Sequence, residues 1–204
     1  LLNRLKRAQC FGISALAGVP GTIGGALRMN AGSVLGEISD AVLWVEWLDS
    51  NGTVHRSSKE ECAFSYRKAG GLPHSAMITR AAFSIQMEGF HEEQERVRHH
   101  LARRKTTQPL HLPSCGSVFK NPKGDYAGRL IEAVGLKGYR IGGASISSKH
   151  ANFIVNEEKA SAMDVYSLIR LAQEKVQAEF SVVLEPEVRL KGDWPDSCQL
   201  LGIA

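Results

Sequence analysis

The chain has 204 residues, 43% hydrophobic and 23% charged, and a formal net charge of +4 from 25 basic and 21 acidic residues. It is long enough for one or two domains with a real core, and no apolar run approaches the ~20 residues of a membrane-spanning helix. The charge suits anionic small molecules and is too modest to indicate a nucleic-acid binder.

The chain opens on a short apolar segment in which Leu2, Leu5 and Arg7 are typical of the tail of a helix. It also begins without a methionine. We therefore expect a longer protein whose N-terminal part is missing from this sequence.

A glycine-rich segment follows between Gly18 and Gly25. Pro20 fixes one backbone angle, and Thr22 is a suitable N-cap for a helix over 23–30. Such a loop presents N–H groups at a positive helix end, which is an anion site in outline. The segment matches neither Gly-x-Gly-x-x-Gly nor the P-loop. Taken alone, a glycine-rich turn before a helix is more often a tight structural turn than an anion site.

Strand-forming residues predominate over 41–49, and Ser50-Asn51-Gly52 predicts a hairpin into 53–56. Ser58 with Glu61 predicts a capping box on a short helix. A further strand is predicted over 77–87.

A charged segment at 91–105 begins acidic and ends basic, which suits a helix dipole. We predict a solvated connecting helix there, followed by a proline-containing link at 108–114 and a second unit that starts at Cys115. The predicted elements of the second unit are a helix over 125–134 stopped by Gly135, a strand at 152–156, a helix opened by a capping box of Ser161 and Asp164, and a final strand over 182–190.

These elements predict an α+β fold. We assign residues 1–106 to one domain that includes the connecting helix, 107–192 to a second domain, and 193–204 to a peripheral tail.

Three polar segments, at 64–68, 114–122 and 184–190, hold the candidate chemistry. On the predicted final strand, alternation places Glu187 and Arg189 on one face. Singly, Arg67 can be a surface ion pair, Ser117 a turn hydroxyl and Glu187 a solvent-facing residue. No Gly-x-Ser-x-Gly motif surrounds Ser117, so an acyl-transfer nucleophile is not indicated.

The motifs occur in a characteristic order along the chain. They read Gly-Val-Pro-Gly-Thr-Ile-Gly-Gly-Ala, Met-Asn-Ala-Gly, Tyr-Arg, Cys-Gly-Ser-Val-Phe-Lys-Asn-Pro, Lys-His-Ala-Asn-Phe-Ile-Val-Asn and Glu-Pro-Glu-Val-Arg. In this order they strongly resemble the UDP-N-acetylenolpyruvoylglucosamine reductase family, from about Gly12 to Gly192. The family's N-terminal flavin-binding stretch has no counterpart before Leu1, so we expect this chain alone to bind FAD weakly or not at all.

The resemblance implies an oxidoreductase of peptidoglycan precursor synthesis that binds FAD, takes its reducing equivalents from NADPH and reduces an enolpyruvyl UDP-sugar. It implies the C-terminal part of an FAD-binding α+β domain followed by a smaller α+β substrate-binding domain. The residues that it implies for FAD are Gly18, Val19, Pro20, Gly21, Thr22, Gly24, Gly25, Asn30, Ala31 and Gly32.

The resemblance also implies a role for each of three polar side chains. Arg67 would hold the substrate carboxylate, and Ser117 would protonate the α-carbon. Glu187 would either polarise the carboxylate, which requires burial to raise its pKa and keep it protonated, or orient a proton relay. Substrate contacts are implied for Tyr66, Lys120 and Asn121.

The remaining candidates have structural explanations. We expect His150 to pack or to hydrogen-bond a loop, and Cys115 to be a small buried thiol. Four cysteines without paired spacing, and no leading signal segment, indicate a reducing, cytoplasmic setting. No His/Cys cluster has zinc-like spacing, so no metal is assigned, and no nucleic-acid, membrane or obligate protein partner is inferred.

Two alternatives stay open at this point. One is a related FAD oxidoreductase that acts on another substrate. The other is a non-catalytic remnant or interaction module of the same fold.

Overall fold

The computed structural model describes residues 1–195 and residue 198. It divides the chain into unit 1, Leu1–Arg103, and unit 2, Arg104–Ala204. The predicted boundary at 106/107 falls within the same helix. Helices and strands are mixed in both units, so the predicted α+β class is confirmed. In the described part of the chain, no helix combines the length and apolar character needed to cross a membrane.

Unit 1 contains short helices, a small sheet and two minor hairpins. Its elements in chain order are α1 (Leu2–Arg7), α2 (Ile23–Arg28), β1 (Gly32–Ser33), β2 (Gly36–Glu37), β3 (Val42–Leu48), β4 (Val54–Ser58), β5 (Phe64–Ser65), β6 (Lys68–Ala69) and β7 (Met77–Phe83), followed by α3 (Phe90–Thr107), which extends into unit 2. Two 3-10 turns lie at Ser14–Leu16 and Ile38–Asp40.

The sheet of unit 1 has the antiparallel order β4-β3-β7. The predicted β3–β4 hairpin is confirmed, and Asp49 closes its turn by accepting hydrogen bonds from the N–H groups of Asn51 and Thr53 at 2.8 and 2.9 Å. Val45 of β3 is fully buried and forms the core with Ile13, Leu27 and other apolar side chains.

Two helix predictions in unit 1 are wrong, in each case because one residue adopts a left-handed backbone conformation. The helix expected to reach Asn30 stops at Arg28, because Asn30 adopts a left-handed conformation with φ +40°. Ser58 and Glu61 exchange both bonds of the predicted capping box, yet no helix follows. The chain there turns once and leaves at Ala63, where φ is +44°.

Two further predictions for unit 1 need correction. The strand expected over 77–87 ends at Phe83, and Gln86 instead pairs separately with Phe11. The charged helix is confirmed as α3, but Glu93 and His100 are buried, so it is not solvated all round.

The described part of unit 2 contains a four-stranded antiparallel sheet and two helices besides the end of α3. Its elements are β8 (Ser114–Ser117), α4 (Ala127–Ala133), β9 (Arg140–Ile141), β10 (Ala144–Ile146), β11 (Phe153–Asn156) and α5 (Ala162–Phe180), and the strand order is β8-β11-β10-β9. The fully buried residues Leu130, Leu168, Ile169 and Leu184 belong to its core.

The helix signals of unit 2 are largely confirmed. Ser161 Oγ accepts from the Asp164 N–H at 3.1 Å and Asp164 Oδ2 accepts from the Ser161 N–H at 2.9 Å, which is the predicted capping box of α5. The other helix begins at Ala127, two residues later than expected, because Tyr126 at its N-cap has an extended backbone with φ −115° and ψ 126°. It ends before Gly135, which has φ +73°.

The predicted final strand over 182–190 is wrong. The segment has one isolated bridge, between Pro186 and Phe119, and no strand. Pro186 has no N–H to donate to a ladder, and the Leu184 carbonyl is bonded by the Gln173 side chain. Of the predicted tail 193–204, residues 196, 197 and 199–204 lie outside the described residues.

Candidate functional site

The glycine loop of unit 1 is accessible. Residues 18–22 are all exposed, and Thr22 Oγ1 accepts from the Gly25 N–H at 3.0 Å, which confirms the predicted N-cap. Gly21 has φ +139°, and a Cβ added there would meet no atom within 4 Å. The main chain at Gly21 is therefore open to a ligand, and only glycine adopts this conformation without strain.

Asn30 ties the Met-Asn-Ala-Gly segment to the rest of unit 1. Its side chain is fully buried; Oδ1 accepts from the Ser39 N–H at 3.3 Å, and Nδ2 donates to Glu37 Oε2 at 2.6 Å and to the Ser65 carbonyl at 3.0 Å. These bonds fix the positions of Ala31 and Gly32 relative to β2 and β5. Contact of these three residues with a flavin stays a prediction.

Arg67 lies in the turn between β5 and β6, directly beside that segment. It is half-buried with φ +57°, and its Nη2 donates to the Gly32 carbonyl at 3.3 Å. Its guanidinium lies 4.8 Å from the centre of the Tyr66 ring, whose residue is 47% exposed. Unit 1 thus brings Arg67 and Tyr66 together with one of the residues predicted to line FAD.

Ser117 and Glu187 lie on adjacent segments of unit 2. Ser117 is exposed at the end of β8, where it pairs with Phe153 of β11. One residue later, the Val118 carbonyl accepts a hydrogen bond from the Glu187 N–H at 2.8 Å. Glu187 is half-buried. The structure therefore places these two predicted catalytic residues on adjacent segments although the final strand does not form.

Lys120 and Asn121 continue from the same segment. The Lys120 N–H donates to the Glu185 carbonyl at 2.9 Å, and its ammonium forms an ion pair with the Glu185 carboxylate. Asn121 Oδ1 accepts from the Ala127 N–H at 3.1 Å and so binds the first turn of α4. The substrate contacts predicted for both stay predictions.

The sequence reasoning missed two buried amides of unit 2. Asn152 is 4% exposed and clamps Phe119, since its Oδ1 accepts from the Phe119 N–H at 2.9 Å and its Nδ2 donates to the Phe119 carbonyl at 2.8 Å. Gln173 is fully buried in α5 and donates to the Leu184 carbonyl at 2.9 Å. Gln173 could have been found from the sequence, because a glutamine lies there on the apolar stripe of the helix, between Ala172 and Val176, and a buried amide needs a hydrogen-bond partner.

His150 and Cys115 differ in outcome. His150 Nδ1 accepts from the Asn152 N–H at 3.2 Å and its ring packs edge-on against Phe153, which agrees with the predicted loop role. Burial lowers the pKa of His150 below its usual value. The expectation of a buried Cys115 is wrong: the residue is exposed, on the same face of β8 as the exposed Ser117.

Comparisons with known proteins bear on both units. Residues 108–191 match the family model described as UDP-N-acetylenolpyruvoylglucosamine reductase, C-terminal domain. The solved structure of UDP-N-acetylenolpyruvylglucosamine reductase (MurB) from Thermus caldophilus matches with a TM-score of 0.81 at 40% identity, over 95% of this chain and 68% of that one. The chain belongs to the UDP-N-acetylenolpyruvoylglucosamine reductase family. The resemblance read from the motifs is confirmed.

Curated reductases of this family agree. The chain is 46% identical over 201 residues to the UDP-N-acetylenolpyruvoylglucosamine reductase of Synechococcus sp. (strain JA-3-3Ab), with 96% of this chain and 64% of that protein covered. It is 44% identical to the one from Anaeromyxobacter sp. (strain Fw109-5), with 94% and 59% covered. The chain thus spans about three fifths of the length of these curated relatives.

Proposed function

We propose that this chain is part of an FAD-dependent oxidoreductase that uses NADPH to reduce UDP-N-acetylglucosamine enolpyruvate to UDP-N-acetylmuramate, in the cytoplasm, for peptidoglycan precursor synthesis. The observation that carries the proposal is the hydrogen bond from the Glu187 N–H to the Val118 carbonyl at 2.8 Å. In a chain of this family, that bond supports a shared role for Glu187 and the neighbouring Ser117.

The glycine loop fits a flavin. Its exposed residues 18–22 and the unobstructed main chain at Gly21 leave room for a flat ring or a diphosphate. When bound, FAD would pass the reducing equivalents of NADPH to the enolpyruvyl double bond. Gly18, Val19, Pro20, Gly21, Thr22, Gly24 and Gly25 would hold it.

Arg67 would hold the substrate carboxylate, on which negative charge grows as the double bond is reduced. A guanidinium keeps its charge at any working pH and offers paired donors that match a carboxylate. The Gly32 carbonyl and the Tyr66 ring orient the Arg67 side chain before substrate arrives. Arg67 thus supplies a preorganised cation.

Ser117 would deliver the proton that completes the reduction at the α-carbon. A serine hydroxyl is a weak acid, so this requires a strongly basic carbon or a relay from a neighbouring group. Glu187 is the neighbour that the Val118 contact supplies. Glu187 would orient the relay when ionised, or polarise the substrate carboxylate when protonated.

Separate measurement of the two half-reactions in the complete protein tests the proposal. NADPH should bleach the flavin absorbance without oxygen, and the enolpyruvyl UDP-sugar should restore it. Ser117→Ala should leave bleaching unchanged and slow recovery on the order of a hundredfold. Ser50→Ala, at an exposed turn position outside the polar segments, is the control and should leave both rates unchanged. Equal slowing of both half-reactions by Ser117→Ala would contradict the proton-donor role.

The same experiment separates the two alternatives. A complete protein that binds no flavin would indicate the non-catalytic remnant. Flavin that NADPH bleaches and the enolpyruvyl UDP-sugar does not restore would indicate an oxidoreductase with a different substrate.

A further inference from the structure

We propose that Asn152 is a positioning residue for the Ser117–Glu187 pair. The inference rests on the proposed function, because it assigns to Asn152 the task of holding the segment between those two residues. Nothing in the proposed chemistry requires Asn152 to touch substrate or flavin.

Asn152 extends the contact between the segments of β8 and β11 beyond their last paired residues, with its main chain and then with its side chain. The last paired residues of the two strands are Ser117 and Phe153. The residues just before Phe153 form a turn, in which the Phe153 N–H donates to the His150 carbonyl at 3.0 Å. The Asn152 carbonyl accepts from the Val118 N–H at 2.9 Å. Its carboxamide then bonds both the N–H and the carbonyl of Phe119, as an opposing strand residue would.

The other edge of the same segment carries Glu187. The Val118 carbonyl and the Lys120 N–H are bonded by residues 187 and 185, and Phe119 bridges Pro186. Residues 118–120 are therefore held on one edge by Asn152 and on the other by 185–187. A shift of residues 118–120 would displace Ser117 and Glu187 relative to each other.

Burial makes the Asn152 clamp stiff. Asn152 is 4% exposed and Phe119 2% exposed, so bulk water does not compete for either amide bond, and the loss of one leaves a buried polar group without its partner. The clamp fixes geometry at main-chain atoms, which side-chain rotation cannot restore. Loss of the Asn152 clamp should therefore slow the half-reaction in which the enolpyruvyl UDP-sugar is reduced, because that half-reaction depends on the relative positions of Ser117 and Glu187.

The test uses the complete flavin-loaded protein and the two half-reactions described above. In Asn152→Ala, flavin recovery with the enolpyruvyl UDP-sugar should slow about tenfold to a hundredfold, the cost of a displacement near 1 Å. Flavin bleaching by NADPH should change by less than about twofold. The solvent deuterium isotope effect on recovery should rise, because proton delivery becomes slower.

Asn156→Ala is the matched control. Asn156 lies at the other end of β11, and its Oδ1 accepts from the Ala160 N–H at 2.9 Å, so this change also removes an asparagine side-chain bond from the strand. It should leave the recovery rate and its isotope effect unchanged. If Asn152→Ala does not fold, Asn152→Ser, with a hydroxyl in place of the carboxamide, is measured by the same criteria.

The outcomes separate this inference from the proposed function. If Asn152→Ala slows both half-reactions alike, or no more than Asn156→Ala does, Asn152 is merely structural and the inference is overturned. If Ser117→Ala leaves recovery unchanged in the same assay, the role proposed for Ser117 fails instead. Slow recovery in both Ser117→Ala and Asn152→Ala, each with normal bleaching, supports both.

Discussion

Asn30 Nδ2 donates a hydrogen bond to the Ser65 carbonyl oxygen at 3.0 Å, which joins the Met-Asn-Ala-Gly segment to the turn that presents Arg67. The same nitrogen lies 2.6 Å from Glu37 Oε2. Asn30 is fully buried, so its amide nitrogen depends on these two acceptors and not on solvent.

Asn30→Asp should therefore destabilise the protein strongly. It replaces a donor by an oxygen that faces the Ser65 carbonyl and the Glu37 carboxylate, which opposes acceptors around a fully buried side chain at a cost of about 2 kcal/mol. Urea unfolding measures the loss. Asn51→Asp, the same change in the exposed β3–β4 turn, is the control, and equal effects of the two would contradict the structural role of Asn30.

Arg67→Lys should lower substrate turnover on the order of a hundredfold, because a point charge cannot reproduce paired donors to a carboxylate. Bleaching of the flavin by NADPH should stay near normal. Steady-state turnover of the complete protein measures the effect, and Arg56→Lys, on the exposed edge strand β4, is the control. Near-normal turnover in Arg67→Lys would contradict the proposal that Arg67 holds the substrate carboxylate.

Acidification should destabilise the protein through His150. Burial lowers the pKa of His150 from 6.5 in the folded state, so below that pH the unfolded chain binds a proton that the folded chain does not. Stability should fall as the pH drops through about 6.5, and His150→Gln should flatten that fall. Melting temperatures at a series of pH values measure it. His111→Gln, at an exposed position, should leave the slope unchanged.

Thiol labelling should distinguish Cys115 from Cys62. Burial raises the pKa of both thiols, that of Cys62 to about 11, but Cys115 is exposed whereas Cys62 is fully buried. Because labelling needs both the thiolate and access for the reagent, Cys62 should label only on unfolding, while Cys115 labels in the native protein. Mass spectrometry of tryptic peptides locates the label. Labelling of Cys62 at the rate of Cys115 would contradict the packing of unit 1.

Sequence signals such as capping boxes and turn residues correctly predicted the features that depend on hydrogen bonds between residues close together in the chain. The capping box of Ser161 and Asp164 opens α5 as expected, and the turn after Asp49 closes the β3–β4 hairpin. The box of Ser58 and Glu61 forms too, but Ala63 then turns left-handed and the helix never starts. A cap stabilises a helix only where the following residues stay helical.

The candidate site could be predicted only in part. Alternation over 182–190 suggested a strand, yet Val188 and Leu190 obtain that pattern by packing on the core beside one isolated bridge. The clamp of Phe119 by Asn152 joins residues far apart in sequence, and neither hydrophobic periodicity nor spacing reports such a pairing. The motifs identified Ser117 and Glu187 as candidates, but only the folded structure shows that they lie on adjacent segments.

The bond from Glu187 to Val118 has a consequence for protein synthesis. Ser117 leaves the ribosome early, ahead of α4, the remaining strands and α5, and Glu187 leaves after all of them. A premature stop just past Phe180 would remove the carboxyl half of the pair and also Leu184, a fully buried residue of the core of unit 2. Such a product would therefore lose its chemistry and part of its core at once.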